Sequence, residues 1–341
     1  MIGSGCDWIL NSDRYKEGEV ADKLLQVSGL KTYFFSKEGK RVVKAVDEVS
    51  FSVGRGESFA IVGESGCGKT TTSLSIVRLL PPAANIVSGE VLFEGEDLLK
   101  KTNQEMTKIR GKCIGTIVQD PLTSLNPLFK IGEQVAEGPR LHLGLRGKAL
   151  QERVLELLQK VEIPSPEMRM DEFPHQISGG MRQRIVGSIA LSGQPRLIIA
   201  DEPTTNLDTT TQVQFLNLLK QIQESFELSL LFITHDLGIV AKMCDHMAVM
   251  YAGRIVERGL VSTIFHEPQH PYTTALFNCR PRIGPKKTLQ SIPGFPPDLA
   301  NIPTGCAFNP RCPQAIDLCK EKLPFEVDLG NNHSVRCWLM N

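Results

Sequence analysis

The sequence lacks an excess of charge of either sign. Lysine plus arginine and aspartate plus glutamate each number 38 in 341 residues, and the pI is about 7.0. Proteins that bind nucleic acid usually carry a basic field over the binding domain. We therefore expect no nucleic acid among the partners of this chain.

Long apolar runs are also missing. No segment approaches the roughly 20 apolar residues that cross a bilayer as a helix, and the first residues lack the basic start and apolar block of a secretory signal. We expect a soluble chain that works in the cytoplasm. In that compartment the nine cysteines are expected as thiols or metal ligands rather than as disulfides.

The segment GESGCGKT, residues 63–70, fits the phosphate-loop pattern G-x-x-x-x-G-K-[ST]. An apolar strand, Ser58 to Val62, precedes it, and a segment with helical periodicity follows. We expect Lys69 to reach the β- and γ-phosphates of a nucleotide and Thr70 to hold Mg²⁺. The predicted nucleotide-binding residues of this loop are Gly63, Glu64, Ser65, Gly66, Cys67, Gly68, Lys69, Thr70 and Thr71.

Three further apolar strands are followed by polar side chains suited to phosphate chemistry. A strand at 113–118 ends at Gln119, whose amide oxygen is a candidate for Mg²⁺ or for orienting the attacking water. LIIADEP ends in Asp201, a predicted Mg²⁺ ligand, and Glu202, predicted to polarise a water for attack on the γ-phosphate. LSLLFITHD ends at His235, which could bond the γ-phosphate, although a lone strand-end histidine is more often structural.

Two more segments suggest nucleotide contacts. In ISGGMRQR, residues 177–184, the small residues Ser178, Gly179 and Gly180 begin a helix and would present free N–H groups to an anion. Standing alone, this segment would be read as a turn that caps the helix. Near the start of the chain, one ring of the segment Tyr33-Phe34-Phe35 could stack on a purine, or all three could fill the core of a sheet.

The order of these motifs resembles that of the ATP-binding subunits of ABC transporters, over residues 24 to about 265. The resemblance implies a head-to-tail dimer in which ATP lies between the phosphate loop of one subunit and the SGGMRQR signature of the other. It implies that Phe34 stacks on the adenine, with Tyr33 as the alternative. It also implies that Gln183 and Asp208 lie beside the nucleotide. The loop containing Asp208 reads TNLD rather than the commoner SALD.

The predicted fold class is therefore α/β, of the ABC-type ATPase. We expect a phosphate-loop core, an antiparallel β subdomain, a helical subdomain and a small cysteine-containing C-terminal extension. The predicted boundaries are 1–22 for an N-terminal extension, 23–265 for the ATPase domain with its helical subdomain at about 120–185, and 266–341 for the C-terminal extension.

The segments HPYTTAL, IPGFPPDL and GCAFNPRCPQAIDLC resemble the C-terminal extension of dipeptide, oligopeptide and nickel ABC importers. The resemblance implies an ATPase that powers import at the cytoplasmic face of the inner membrane. Its implied partners are two transmembrane permease subunits, a second related ATPase subunit in a heterodimer and, indirectly, an extracytoplasmic solute-binding protein. Peptides are the most frequent solutes of this branch, and nickel and oligosaccharides stay open.

Two other classes of function fit the sequence less well than an importer does. ABC ATPases that work without a membrane usually carry a long coiled coil or two cassettes in one chain, and this sequence shows neither. A metal-dependent redox sensor with an incidental ATPase is disfavoured because Asp201, Glu202 and His235 are all intact.

Four cysteines lie within the last 36 residues of the sequence: Cys306, Cys312, Cys319 and Cys337. Their proline-rich segment is not expected to bury much apolar surface, so a metal centre is a plausible source of order. The spacing lacks the tight C-x₂-C pairs of zinc ribbons, and the resemblance also implies a [4Fe–4S] cluster. Zinc and a metal-free set of thiols are the alternatives. The remaining cysteines of the ATPase region, Cys67, Cys113, Cys244 and Cys279, are expected as small buried apolar residues.

Overall fold

We analysed a computed structural model, which describes residues 23–36, 41–118, 124–205, 207–279 and 291–340. Within these ranges, twelve strands form two sheets. The strands are β1 (Lys23–Phe35), β2 (Val42–Gly54), β3 (Ser58–Val62), β4 (Ala84–Phe93), β5 (Glu96–Asp97), β6 (Ile114–Ile117), β7 (Leu197–Asp201), β8 (Ser229–Thr234), β9 (His246–Tyr251), β10 (Arg254–Leu260), β11 (Val327–Asp328) and β12 (Ser334–Val335).

Eleven α-helices lie between and after these strands in the described ranges. They are α1 (Lys69–Ile76), α2 (Asn103–Ile109), α3 (Ile131–His142), α4 (Gly147–Lys160), α5 (Pro166–Arg169), α6 (Gly179–Leu191), α7 (Thr209–Phe226), α8 (Leu237–Met243), α9 (Val261–His266), α10 (Pro271–Asn278) and α11 (Asp317–Glu321). In the described part of the chain, no helix is both long and apolar enough to cross a membrane.

The first sheet is antiparallel and has the strand order β2-β1-β4-β5. Buried residues alternate with partly exposed ones along much of β1 and β2, as expected when one face of a sheet packs on a core. This sheet is the antiparallel β subdomain predicted from the β-rich sequence after residue 24.

The second sheet has the order β11-β12-β10-β9-β3-β8-β7-β6 and is parallel from β9 to β6. Strands β3, β7 and β8 are buried along their whole length, because both faces of the sheet are covered. Along β3, Ala60 and Val62 face one apolar core, whereas Phe59 and Ile61 face the other. The parallel sheet is therefore the layer on which both halves of the core are built.

A group of helices is inserted between β6 and β7. Helix α4 shows the expected pattern, since Leu150, Val154, Leu157 and Leu158 are buried at helical spacing. The helices predicted over residues 131 to about 163 are confirmed by α3 and α4. The domain boundaries predicted at residues 22, 120, 185 and 265 stay predictions.

The C-terminal extension packs on the ATPase core. Strand β12 pairs with β10 and with β11, which lengthens the large sheet at its antiparallel edge. Tyr272 and Phe308 are fully buried in the same apolar core as the parallel strands. The expectation that the proline-rich segment buries little apolar surface fails at Phe308, which packs on the core of the large sheet, and holds at Phe295 and Phe325, which are 91% and 59% exposed.

A buried carboxylate joins the extension to the edge of the core. Glu257 of β10 is 1% exposed and accepts the backbone N–H groups of Gln269 and His270 at 2.8 and 3.0 Å. Its carboxylate also lies 2.9 Å from Nε2 of His333. A buried charge held by several partners is costly to remove, because each partner then loses its acceptor.

We expect Glu257→Ala to lower the free energy of unfolding by roughly 2–4 kcal/mol, because it leaves these buried donors without an acceptor. Chemical denaturation monitored by circular dichroism measures the change. Glu267→Ala, at an exposed position just before Gln269, is the matched control and should leave stability nearly unchanged. Equal stability of the two variants would contradict the role given to Glu257.

Candidate nucleotide-binding site

The ends of three neighbouring parallel strands bring the predicted site residues together. The phosphate loop follows β3, His235 follows β8, and Asp201 is the last residue of β7 with Glu202 next. Because β3 pairs with β8 and β8 pairs with β7, all three carboxyl ends meet at one edge of the sheet. Ligands of open α/β sheets bind at this edge.

The phosphate loop folds back on its own lysine. The ammonium group of Lys69 donates to the carbonyl oxygens of Gly63 and Glu64, at 2.8 and 3.0 Å, and the side chain is only 6% exposed. Helix α1 begins directly after Gly68, so its unpaired N–H groups and positive end point at the loop. The loop therefore has the form expected of an anion-binding site.

Two glycines of the loop are required by crowding. Gly63 and Gly68 have φ of 157° and 109°, and a Cβ atom at these positions would lie 2.2 Å from the Met250 carbonyl oxygen and 2.0 Å from that of Ala45. Neither distance is possible for a real side chain. The loop is therefore in close contact with the backbone at the end of β9 and near the start of β2.

Asp201 and Thr70 are paired where a magnesium ion is expected. Burial raises the pKa of Asp201, a hydrogen bond from the Thr70 side chain lowers it, and the nearby charge of Glu202 raises it. One oxygen of Asp201, Oδ1, is buried and has no hydrogen-bond partner within the described ranges. A hydroxyl and a carboxylate oxygen that lacks a partner fit Mg²⁺, which prefers oxygen ligands.

Glu202 and His235 are in contact across the ends of β7 and β8. Nδ1 of His235 lies 3.1 Å from Oε1 of Glu202, and the Thr205 hydroxyl donates to the other carboxylate oxygen at 3.1 Å. The backbone of Glu202 has a φ of 44° and its N–H still donates to the Ile233 carbonyl of β8. A carboxylate turned toward an exposed imidazole is suited to holding a water molecule.

The SGGMRQR signature forms the N-cap and first turns of helix α6. The hydrogen bonds of its Ser178 and Gln183 go to residues outside the phosphate loop. Ser178 caps the helix by accepting the N–H of Met181 at 3.3 Å. Gln183 is buried, and its amide donates to the Pro203 carbonyl at 2.6 Å. Ser178 therefore has the helix-capping role that the sequence alone would suggest. The nucleotide contacts of the signature stay predictions.

The signature packs against helix α7, whose N-terminus is capped by Asp208. A Cβ atom on Gly180 would lie 2.4 Å from Cγ2 of Thr211, in the first turn of α7. Asp208 caps that turn by accepting the N–H and the hydroxyl of Thr211, at 3.0 and 2.7 Å. These bonds lower the pKa of Asp208. Thr211 is therefore in close contact with Gly180 of the signature and hydrogen-bonded to Asp208.

The two aromatic candidates for adenine stacking face different surroundings. The Tyr33 hydroxyl donates to Asp47 at 2.7 Å, and burial raises the pKa of Tyr33 to about 12. Phe34 is one residue further along β1, on the face of Thr32, whose hydroxyl contacts Ser75 of α1 at 2.8 Å. Phe34 is therefore on the same side of the strand as helix α1, and the choice between Phe34 and Tyr33 for the adenine stays a prediction.

Gln119 lies outside the described residues, so its place beside the nucleotide stays a prediction. Cys67 and Cys244 are buried as expected, whereas Cys113 and Cys279 are half-buried, so the expectation of full burial is wrong for these two.

Two residues that the sequence did not single out contact the phosphate loop. The Glu64 N–H donates to the Tyr272 hydroxyl at 3.0 Å, and the Glu64 carboxylate accepts two bonds from Arg311, at 2.7 and 3.0 Å. Tyr272 belongs to HPYTTAL, and Arg311 lies between Cys306 and Cys312. Because both come from the extension, more than 200 residues away, no local pattern could have placed them at the loop.

The four C-terminal cysteines share one small cavity. Cys306, Cys312, Cys319 and Cys337 line it together with His270 and Phe308. Burial raises the pKa of Cys306 to about 11, and the other three thiols add to the rise. Among the described residues, no three histidine, cysteine, aspartate or glutamate side chains are close enough to hold a single metal ion.

Comparison with family models matches two regions of the chain. Residues 46–205 match the ABC transporter family, and residues 256–319 match the C-terminal region of oligopeptide and dipeptide transporters. The second match contains most of the extension that reaches the phosphate loop.

Curated relatives are similar over nearly the full length. The chain is 45% identical to a probable peptide ABC transporter ATP-binding protein of Sinorhizobium fredii, over 96% of this chain and 98% of that protein. It is 47% identical to an oligopeptide transport ATP-binding protein of Bacillus subtilis, over 94% and 89% of the two chains. A dipeptide transport ATP-binding protein of the same organism is 46% identical, over 94% and 96%.

Solved structures share the fold of the ATPase part. A dimeric ATP-binding cassette in a post-hydrolysis state, bound to ADP and phosphate, has a TM-score of 0.61 and 27% identity, over 70% of this chain and 98% of that one. A subunit of an ABC transporter complex of Clostridium perfringens has a TM-score of 0.62 at 27% identity, over 72% and 92%.

We expect Gly68→Ala to weaken ATP binding by about tenfold or more, because the new methyl group must displace the Ala45 carbonyl and so distort the loop. Isothermal titration calorimetry with ATP measures the loss. Gly29→Ala is the matched control, since Gly29 also has a positive φ, of 56°, but no atom within 4 Å of an added Cβ. An ATP affinity of Gly68→Ala equal to that of the control would show that the crowding does not shape the site.

Proposed function

This chain belongs to the ATP-binding proteins of peptide ABC transporters, and from that premise we propose that it hydrolyses ATP to power the import of di- or oligopeptides. The observation that carries the proposal is the similarity to peptide-transport ATP-binding proteins over 96% of the chain, with the phosphate loop intact. The peptide substrate rests on the relatives and on the match of residues 256–319 to the oligopeptide and dipeptide transporter region.

In the proposed reaction the loop binds the phosphates of ATP. The N–H groups at the start of α1 and the ammonium of Lys69 would surround the β- and γ-phosphates. Thr70 and Asp201 would hold Mg²⁺, since the buried Oδ1 of Asp201 lacks another partner in the described structure. When bound, Mg²⁺ neutralises charge that develops on the phosphate oxygens.

Hydrolysis needs a water molecule in line with the bond to the γ-phosphate. Glu202 would accept a hydrogen bond from that water, and His235, whose Nδ1 lies 3.1 Å from the Glu202 carboxylate, would help to orient it. Gln119 is assigned to the same water or to Mg²⁺ by its position after β6. Phe34 is assigned to the adenine on the basis of its strand face.

We further propose a head-to-tail dimer. The hydrogen bonds of Ser178 and Gln183 run to α6 itself and to Pro203, so the signature is left to face a partner's nucleotide. The similar ATP-binding cassette bound to ADP and phosphate is a dimer. In this arrangement Ser178, Gly179, Gly180, Gln183 and Asp208 would approach ATP held by the partner's phosphate loop, and the partner would be a second, related ATPase subunit.

ATP-binding proteins of this family work with transmembrane permeases, and two such subunits are the proposed partners. The described segment before α3 exposes Leu128 and Phe129, 81% and 51% exposed, which are unusual on a surface that faces only water. We assign this apolar segment to contact with a permease at the cytoplasmic face of the inner membrane. An extracytoplasmic binding protein would deliver the solute to the same complex.

Glu202→Gln should separate assembly from catalysis. Purified from membranes, the variant should still co-purify with the hydrophobic permease subunits and bind ATP, while ATP hydrolysis falls by about 10²–10⁴-fold. The reason is that the amide keeps the size of the side chain but cannot accept a proton from water. Near-normal hydrolysis would remove Glu202 from the reaction, and failure of the wild-type chain to co-purify with any hydrophobic subunit would contradict the importer.

We also propose that the four C-terminal cysteines hold a [4Fe–4S] cluster. The support for this proposal is that the four thiols line one cavity, as the ligands of a Cys₄ cluster must, although no three potential ligands among the described residues are placed to hold a metal ion. Such a cluster accepts hydrogen bonds at its sulfur atoms and cross-links the segments that ligate it.

A buried donor in the wall of this cavity supports the fit. Nδ1 of His270 accepts the Tyr272 N–H at 3.0 Å, so the proton of the neutral ring lies on Nε2. Burial lowers the pKa of His270 to about 3, and Nε2 has no partner among the described residues. An N–H group that lacks an acceptor is costly in a buried site, and a cluster sulfur would provide one.

Anaerobic purification should therefore give a brown protein with broad absorption in the visible blue and about four irons per chain. Cys306→Ser should lose the colour and the iron, whereas Cys113→Ser, at a half-buried position outside the cavity, should keep both. A colourless anaerobic preparation, with zinc or without metal, would remove the cluster and leave the ATPase proposal unaffected.

A further inference from the structure

The C-terminal extension holds one residue of the phosphate loop from two sides. Tyr272 accepts the backbone N–H of Glu64, and Arg311 forms a two-pronged salt bridge with its carboxylate, at 2.7 and 3.0 Å. Arg311 is only 8% exposed and the Glu64 side chain is 23% exposed, so this pair is partly shielded from solvent. Bidentate arginine–carboxylate pairs combine charge with fixed geometry and are among the strongest polar contacts.

The groups that hold Glu64 are themselves fixed. Nε of Arg311 donates to the Pro293 carbonyl at 2.9 Å, and its Nη1 lies 3.3 Å from the Tyr251 hydroxyl. The rings of Tyr251, Tyr272 and Phe308 are in mutual contact, with centroids 4.5 to 5.4 Å apart. Because Tyr251 ends β9, beside β3, the contacts connect the extension to the strand next to the loop.

Glu64 matters for ATP in two ways. Its carbonyl oxygen is one of the two that hold Lys69, so a shift of Glu64 would move the lysine that binds the phosphates. Its carboxylate carries a negative charge within the loop that binds a polyanion, and two negative charges close together repel strongly when they are partly buried. Arg311 supplies the opposite charge that offsets this repulsion.

We propose that Arg311 and Tyr272 are positioning residues for the phosphate loop, through which the C-terminal extension sets the affinity of this subunit for ATP. The inference rests on the ATP binding of the proposed function. Arg311 also lies in the turn between Cys306 and Cys312, where its N–H donates to the Phe308 carbonyl at 2.9 Å. The order of this cysteine-containing turn is thereby linked to the position of Glu64.

The test measures the dissociation constant for ATP, and KM and kcat for hydrolysis, on the full chain in its complex. Arg311→Gln should raise the dissociation constant and KM roughly tenfold, with a much smaller change in kcat, because the carboxylate of Glu64 is left without its counter-charge. Tyr272→Phe should raise them about threefold, since only one neutral hydrogen bond is lost.

A second substitution distinguishes charge neutralisation from a general structural role. In the double variant Arg311→Gln with Glu64→Gln, the repulsive charge is gone, so the affinity should return to within about threefold of wild type. Arg258→Gln is the matched control, because Arg258 also bonds Glu326 and Ser334 of the extension but does not contact the loop. Its ATP affinity should equal that of wild type, and circular dichroism should show all variants folded.

The outcomes separate the inference from the proposed function. Wild-type ATP affinity in Arg311→Gln, or an equal loss in the single and double variants, would overturn the inference alone. A loss in Arg258→Gln as large as that in Arg311→Gln would overturn it too, because the effect would then come from loosening the extension. A wild-type chain that binds no ATP would overturn both.

Discussion

The phosphate loop is held by backbone crowding that leaves no room for side chains at two of its glycines. The carbonyl oxygens of Met250 and Ala45 occupy the positions that Cβ atoms would take on Gly63 and Gly68. Met250 belongs to β9 of the large sheet, and Ala45 belongs to β2 of the antiparallel sheet. The loop therefore takes its shape only when both sheets are in place. The parallel sheet and the antiparallel sheet are therefore parts of one nucleotide site.

Among the charged residues named at the site, the carboxylates outnumber the cations. Lys69 bonds the Glu64 carbonyl and lies near Asp201, Arg311 pairs with the Glu64 carboxylate, and Glu202 adds a further negative charge beside Asp201. Burial and the nearby charge of Glu202 raise the pKa of Asp201, and the Thr70 hydrogen bond and the charge of Lys69 offset only part of this rise. A bound Mg²⁺ would supply the missing positive charge, which agrees with the oxygen ligands available there.

Much of this arrangement was predictable because local patterns mark the ends of buried strands. The phosphate loop, Asp201, Glu202 and His235 each follow a short apolar run, and parallel strands bring such ends together. The contacts of Glu64 were not predictable, because Tyr272 and Arg311 approach from sequence positions more than 200 residues away. The burial of Phe308 was missed for a related reason: a proline-rich segment shows no periodicity, and its apolar residue packs on a core built elsewhere.

ATP-driven peptide import is tested most directly with the chain and its permease subunits reconstituted in proteoliposomes, together with the binding protein. Uptake of labelled di- and oligopeptides and release of phosphate are measured in the same vesicles. We expect uptake to require ATP and Mg²⁺, and peptide-loaded binding protein to stimulate phosphate release. Peptide uptake that proceeds without ATP, or ATP hydrolysis with no peptide uptake in the complete complex, would contradict ATP-powered peptide import.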